Sequence, residues 1–214
     1  MAVGSALLVG ITVHEASHAL VAFRLGDNTA RSLGRLSLNP LRHLDPLGTI
    51  MLVLVGFGWG KPVPVDPRNM AGGRKGLAIV SAAGPVSNLL AAFLFAMPFK
   101  LGLIAWLSPF SFISTLEGGI GALTTDLLGL VIYFNLVLAV FNLIPLFPLD
   151  GSKVLWGLLP PGAAQWYGRL ERYGPMLLIA ILAIDAFTHI GLLSRVLVPV
   201  VNYLGRMMLG QGLF

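Results

Sequence analysis

Val9-Gly10-Ile11-Thr12-Val13-His14-Glu15-Ala16-Ser17-His18-Ala19-Leu20-Val21-Ala22-Phe23 is an apolar run that carries an HExxH core, His14-Glu15-Ala16-Ser17-His18. Read as one helix, it puts positions i and i+4 on the same face, so both imidazoles can reach one metal ion. Glu15 stands beside the first imidazole, where it can act on water as a general base. Two histidines and a carboxylate are costly in lipid, so their presence in such a helix calls for a functional explanation.

The rest of the chain is as apolar as this stretch. Of its 214 residues 56% are hydrophobic and 11% charged, with a mean hydropathy of +0.85. A soluble domain carries roughly 25% charged residues, so the composition is that of an integral membrane protein. Cysteine is absent, which excludes disulfides and thiolate ligands and leaves His, Asp and Glu to hold any metal. The net charge of +5 does not point to nucleic acid, because the basic residues cluster in short loops beside apolar spans, where they set membrane orientation. Met1 to Gly10 has no Lys or Arg, so the first apolar stretch is expected to be retained rather than cleaved as a secretory signal.

Five apolar segments follow in order: Val3 to Leu25, Leu47 to Gly60, about Gly76 to Leu107, about Ile120 to Ile144, and about Met176 to Leu193. The second is the decisive one. If it crosses the membrane, the basic residues divide evenly between the two sides. If it enters and returns, one side gains Arg24 to Arg42, Lys61 to Lys75 and Lys153 to Arg172, leaving only Lys100, Arg195 and Arg206 opposite. The positive-inside rule prefers the second arrangement. Its length agrees, since about 14 helical residues reach about 21 Å, short of a comfortable crossing. The expected fold is an all-α polytopic membrane protein, one domain over 1–214, with about four full transmembrane helices, a re-entrant segment and a small interfacial β element.

A catalytic zinc usually takes three protein ligands and leaves one position open. The re-entrant topology returns the fourth span to the side where the first one ends, and there stands Asn142-Leu143-Ile144-Pro145-Leu146-Phe147-Pro148-Leu149-Asp150-Gly151. His18 lies about 9 Å of helical rise from Arg24. Asp150, after two helix-breaking prolines, can be held near that depth. Asp-Gly after Pro is also ordinary turn or helix-cap chemistry, but beside the HExxH the ligand reading of Asp150 is preferred.

Together these residues resemble the site-2 protease family of intramembrane zinc metalloproteases. The resemblance rests on His14-Glu15-Ala16-Ser17-His18 and on Asn142-x-x-Pro145-x-x-x-Leu149-Asp150-Gly151. Ala83-Gly84-Pro85-Val86-Ser87-Asn88 and Gly60-Lys61-Pro62-Val63-Pro64-Val65 reinforce it, in the family's order and over most of the chain. It implies one Zn2+ per chain held by His14, His18 and Asp150, with Glu15 activating water to hydrolyse a peptide bond of a membrane-anchored protein substrate. It also implies a multi-pass protein of the cell membrane, with the site a little below the cytosolic surface and regulated intramembrane proteolysis as its role. No PDZ-like or CBS-like domain is seen, so the chain reads as a minimal catalytic core.

Other residues have two readings each. Asn88, in an otherwise Leu, Ala and Phe helix, is a candidate catalytic residue that donates to an oxyanion or a substrate carbonyl; the plainer alternative is a hydrogen bond between helices. Asn142 has the same ambiguity and can instead cap groups freed at the Pro145 break. Ser32 to Leu38 and Pro62 to Val65 are extended stretches expected to pair and leave an edge to which an unwound substrate adds as a strand. Asp185 and His189, at i and i+4, read as a mutually satisfied pair, with a second metal, a proton relay or a gate as alternatives. His43 reads as an exposed loop residue, and Trp59, Trp106, Trp156, Trp166, Tyr167 and Tyr173 as including interfacial anchors.

The rival function is a zinc or divalent cation transporter, which needs polar residues on several helices at midplane. The far half offers mainly Thr124, Thr125, Asp126 and Asp185. A catalytically dead relative is disfavoured by the intact Glu15.

Overall fold

The computed structural model describes residues 2–55, 58–106, 119–188, 190–210 and 212–213. In chain order its helices are α1 (Ala2–Arg24), α2 (Thr29–Ser32), α3 (Pro46–Val55), α4 (Arg74–Lys100), α5 (Gly119–Asn142), α6 (Asp150–Leu158), α7 (Pro161–Gly168), α8 (Gly174–Thr188) and α9 (Leu192–Leu209). Four stretches are long and apolar enough to cross a membrane: α1, α4, Leu123–Asn142 of α5, and α9. Large apolar side chains are exposed along them, among them Ile79, Leu90, Leu94 and Leu123. A soluble protein rarely exposes so much, and in a multi-pass membrane protein these are the groups that meet lipid. The all-α membrane architecture is as expected. Helix α3, at 10 residues, rises about 15 Å, half of a roughly 30 Å hydrocarbon core.

Two expectations are corrected. The last span is not Met176 to Leu193. Helix α8 stops at Thr188, and α9 starts afresh after Gly191, whose φ of +69° is a left-handed conformation that suits glycine. The Asp185 carboxylate accepts the amides of Leu192 (2.5 Å) and Leu193 (3.3 Å), supplying acceptors to the first turn of α9. Asp185 thus serves the next helix; its expected partner His189 lies outside the described residues. Arg195 and Arg206, expected in loops from the charge count, lie within α9.

The second correction concerns the β element. Among the described residues pairing is limited to one antiparallel bridge, Leu44 with Gly60, and Ser32 to Leu38 does not pair with Pro62 to Val65. Pro62 and Pro64 have no N–H to offer a ladder. The Lys61 and Pro62 carbonyls are taken instead by the guanidinium of Arg35.

The chain forms two compact units, one of 1–10, 88–141 and 179–214, the other of 11–87 and 142–178. In the first, Ala92, Ala96, Ile132, Leu136, Val201 and Leu213 form the core. Small residues let helices approach: a Cβ on Gly10 would lie 2.7 Å from Leu138 Cδ1. Asn88 is fully buried there, its amide donating to Gly10 O (2.9 Å) and Asn135 Oδ1 (2.8 Å).

In the second unit Ala22, Met70 and Val80 make the core. The loop after α1 is tied down by Asp27, fully buried, which accepts from Thr29 N (3.0 Å), Thr29 Oγ1 (2.5 Å) and Asp66 N (2.7 Å). Burial alone would raise its carboxyl pKa, but these hydrogen bonds outweigh it and hold the group below the usual carboxylate range. A lowered folded pKa contributes stability above the unfolded value near 3.9 and loses it as pH falls towards the folded one. Asp27→Asn is therefore expected to lower Tm by about 2–4 °C at pH 7, the gap to wild type closing below about pH 4. Melting curves of both proteins across that range check it.

Candidate metal centre

The whole constellation lies in the second unit. Helix α1 presents His14 and His18 one turn apart, both buried, with ring centroids 4.6 Å apart and planes at 85°. The third group arrives from far along the chain. After α5 ends at Asn142 the backbone turns through Leu146 N to Ile144 O (2.8 Å) and Leu149 N to Leu146 O (2.9 Å). Tyr167, which is buried, donates to Pro145 O (2.8 Å) and pins this turn. Asp150 is then the first residue of α6, where a carboxylate also suits the positive end of the helix. Gly151 makes the seat possible: a Cβ there would stand 2.2 Å from Leu143 O.

Asp150 Oδ2 lies 2.9 Å from His14 Nε2 and 3.2 Å from His18 Nε2, and these three residues form a group whose ligand atoms all fall within 4.8 Å of one another. A tetrahedral ion with bonds of about 2.0–2.1 Å spaces its donors about 3.3 Å apart, so the set fits zinc in size. Its chemistry fits as well. His18 Nδ1 is 2.7 Å from Val80 O, a carbonyl that can only accept, so the proton sits on Nδ1 and the Nε2 lone pair faces the site. Burial would raise the Asp150 carboxyl, but the two imidazoles outweigh it and keep it ionised. Two lone pairs 3.2 Å apart need a cation or a proton between them. Gly84 of α4 leaves the space open: a Cβ there would sit 2.5 Å from His18 Nε2 and 2.6 Å from His14 Nε2.

Glu15 is half-buried and points to a different neighbour. Its Oε2 accepts the backbone amide of Val63 at 3.1 Å, and a Cβ on Gly60 would lie 3.8 Å from Oε1. The Gly60–Val63 segment therefore lies against the carboxylate. It is held by Lys61 N to His43 O (2.8 Å) and by Arg35, whose guanidinium donates to Lys61 O and to Pro62 O (3.2 Å). His43 is not the exposed loop residue expected from its polar neighbours: it is fully buried, with Nε2 2.6 Å from Ser37 O.

The structure thus brings His14, His18 and Asp150 together, sets Val80 O on His18 and Val63 N–H on Glu15, and has Arg35 and His43 hold the segment that carries Val63. Sequence reasoning assigned the first three to the site; of the other four, Val63 entered only within the extended Pro62 to Val65 stretch and His43 only as a loop residue. Three of those four contribute or act through backbone groups, which leave no mark in residue type. Arg35 was counted only as a loop charge.

The chain is 39% identical over 196 residues to the Bacillus subtilis (strain 168) protein named "Putative zinc metalloprotease YwhC", a match covering 92% of this chain and 84% of that one. It is 30% identical over 189 residues to "Putative zinc metalloprotease Rip2" of Mycolicibacterium smegmatis, covering 85% of this chain and 66% of the relative. For Rip2 of Mycobacterium tuberculosis (strain ATCC 25618 / H37Rv) the figures are 29% over 180 residues, 81% and 63%. No family model and no solved structure matches the chain.

Proposed function

Because the chain belongs to the zinc metalloprotease family of YwhC, we propose that it is an intramembrane protease of the site-2 type. Its reaction is hydrolysis of a peptide bond within or beside the transmembrane segment of a membrane-anchored protein. The observation that carries this reading is the convergence of His14 and His18 with Asp150 on a helix, Ala2–Arg24, long and apolar enough to cross a membrane. A soluble protease has no use for that location.

His14, His18 and Asp150 hold the ion, and Val80 O and Gly84 keep the His18 ring oriented and the space clear. Zinc, when bound there, supplies Lewis acidity that makes water more acidic and polarises the scissile carbonyl. Glu15 takes a proton from the attacking water as the new C–O bond forms, and returns it to the amide nitrogen as the C–N bond breaks. Asn88 is proposed as a donor to the oxyanion or to a substrate carbonyl, which requires its amide to release Gly10 O or Asn135 Oδ1. The site lies near the cytosolic face of the cell membrane, and cleavage releases a regulator from its anchor. Transport of zinc is the weaker reading: among the described residues no second group of three or more His, Asp or Glu continues the path.

The test is reconstitution into vesicles with a single-span substrate, followed by mass mapping of the products. Cleavage inside or within a few residues of the apolar span, abolished by a chelator and restored by zinc, is the expected result. Zinc uptake without cleavage would overturn the reading in favour of a transporter. Cleavage confined to soluble peptides would place the protease outside the intramembrane class.

A further inference from the structure

We propose that Arg35 is a positioning residue for the general base, acting on Glu15 through the peptide unit that joins Pro62 to Val63; this rests on the protease reading above. Arg35 is only 6% exposed, and a guanidinium is taken out of water at considerable cost unless its hydrogen bonds are well placed. Here they converge on one short piece of chain, the carbonyls of Lys61 and Pro62. No carboxylate shares in this; the described salt bridges involve His14, His18 and Arg68.

The Pro62 carbonyl and the Val63 amide belong to the same peptide group, which is planar, with C=O and N–H pointing to opposite edges in the trans form. Arg35 grips the oxygen edge, and Glu15 Oε2 accepts from the nitrogen edge at 3.1 Å. The orientation of one bond therefore dictates the other. Each hydrogen bond on such a unit also polarises it and strengthens its partner. The flanking residues leave no substitute for this clamp. Pro62 and Pro64 have no N–H, so Val63 is the one amide donor between Lys61 and Val65, and among the described residues the pairing of Leu44 with Gly60 does not extend to 62–65. His43 completes the hold from the other side, its carbonyl accepting Lys61 N at 2.8 Å. With Oε2 committed to Val63, the second carboxylate oxygen is left for the proton that Glu15 must carry.

The experiment compares wild type, Arg35→Met, Arg35→Lys, Val63→Pro and the Arg35→Met/Val63→Pro double variant, reconstituted in vesicles with a single-span substrate. Val63→Pro deletes the donor to Glu15 while keeping an extended backbone. Arg35→Met is expected to lower kcat about 10- to 100-fold, since small misplacements of a reacting group cost that much, with KM changed less than about threefold. Bound zinc stays equal to wild type. Arg35→Lys, able to reach one carbonyl, recovers part of the rate. Val63→Pro loses as much as Arg35→Met, and the double variant is no worse than Val63→Pro alone, because both act through one hydrogen bond. Losses that multiply in the double variant, zinc lost in Arg35→Met, KM raised with kcat unchanged, or an unchanged rate would each overturn the proposal. Hydrogen–deuterium exchange of the peptide covering 59–66 gives a readout independent of activity. If wild type cleaves nothing, the protease reading fails, while faster exchange confined to 59–66 in Arg35→Met still supports the clamp and unchanged exchange there refutes it.

Discussion

Asp150→Ala is expected to reduce bound zinc from about one ion per chain to less than about one-fifth, with proteolysis lost in parallel. The reason is the donor count. Asp150 Oδ2 stands 2.9 and 3.2 Å from the two imidazole nitrogens, and its removal leaves two neutral ligands and no anionic one. The backbone that seats it does not depend on its side chain: Tyr167 still pins Pro145 O, and Ser152 Oγ still donates to Leu149 O at 2.6 Å. The turn that presents position 150 therefore persists, and the loss of activity is one of metal. Gly84→Ala is expected to reach the same end without touching a ligand, because its methyl would intrude 2.5 to 2.6 Å from both Nε2 atoms. Elemental analysis of identically purified proteins decides both. Full zinc retention in Asp150→Ala would remove it from the ligand set. Asp185 is a poor replacement, since both its carboxylate oxygens are engaged at the start of α9.

Glu15→Gln is expected to do the opposite: zinc stays at about one per chain while kcat falls by about a thousandfold or more. Gln is nearly the same size and its carbonyl oxygen still accepts the Val63 amide, so the arrangement of the 60–63 segment survives. What it cannot do is take a proton from water and return it to the leaving amine. The variant thus separates chemistry from positioning, and it should bind substrate with KM or Kd within about threefold of wild type. Measurable turnover above about one-tenth of wild type would show that Glu15 is not the base. Loss of zinc together with activity would show that it supports the site instead.

The two sets of contacts around Glu15 and around the metal ligands differ in how they could be read. His14 and His18 are one helical turn apart, and their convergence follows from local geometry that any helix imposes. Asp150 is 136 residues from His14, yet it was reached by a chain of constraints: a segment too short to cross, a charge bias, and prolines that stop a helix at matching depth. The same counting failed at the C-terminal end. Arg195 and Arg206 inside α9 looked like loop residues, because hydropathy records what a residue is and not which face of a helix it occupies.

Composition, the HExxH spacing and the Asp150-Gly151 turn pointed, from sequence alone, to a helical membrane protein in which two histidines and one aspartate could hold a metal. The membrane composition and the histidine pair are matters of residue type and short-range periodicity, which the covalent chain carries with it, whereas Asp150 came from the order of segments and prolines along it. Only the tertiary structure decided that Val63 N–H lies on Glu15, that Arg35 and His43 are buried to hold that segment, and that Asp185 accepts the first amides of α9. Each of these rests on a hydrogen bond with a backbone group, 48 residues away for Glu15 and seven for Asp185. Every residue but proline offers the same amide and every residue the same carbonyl, so only the path of the folded chain selects which one a side chain finds.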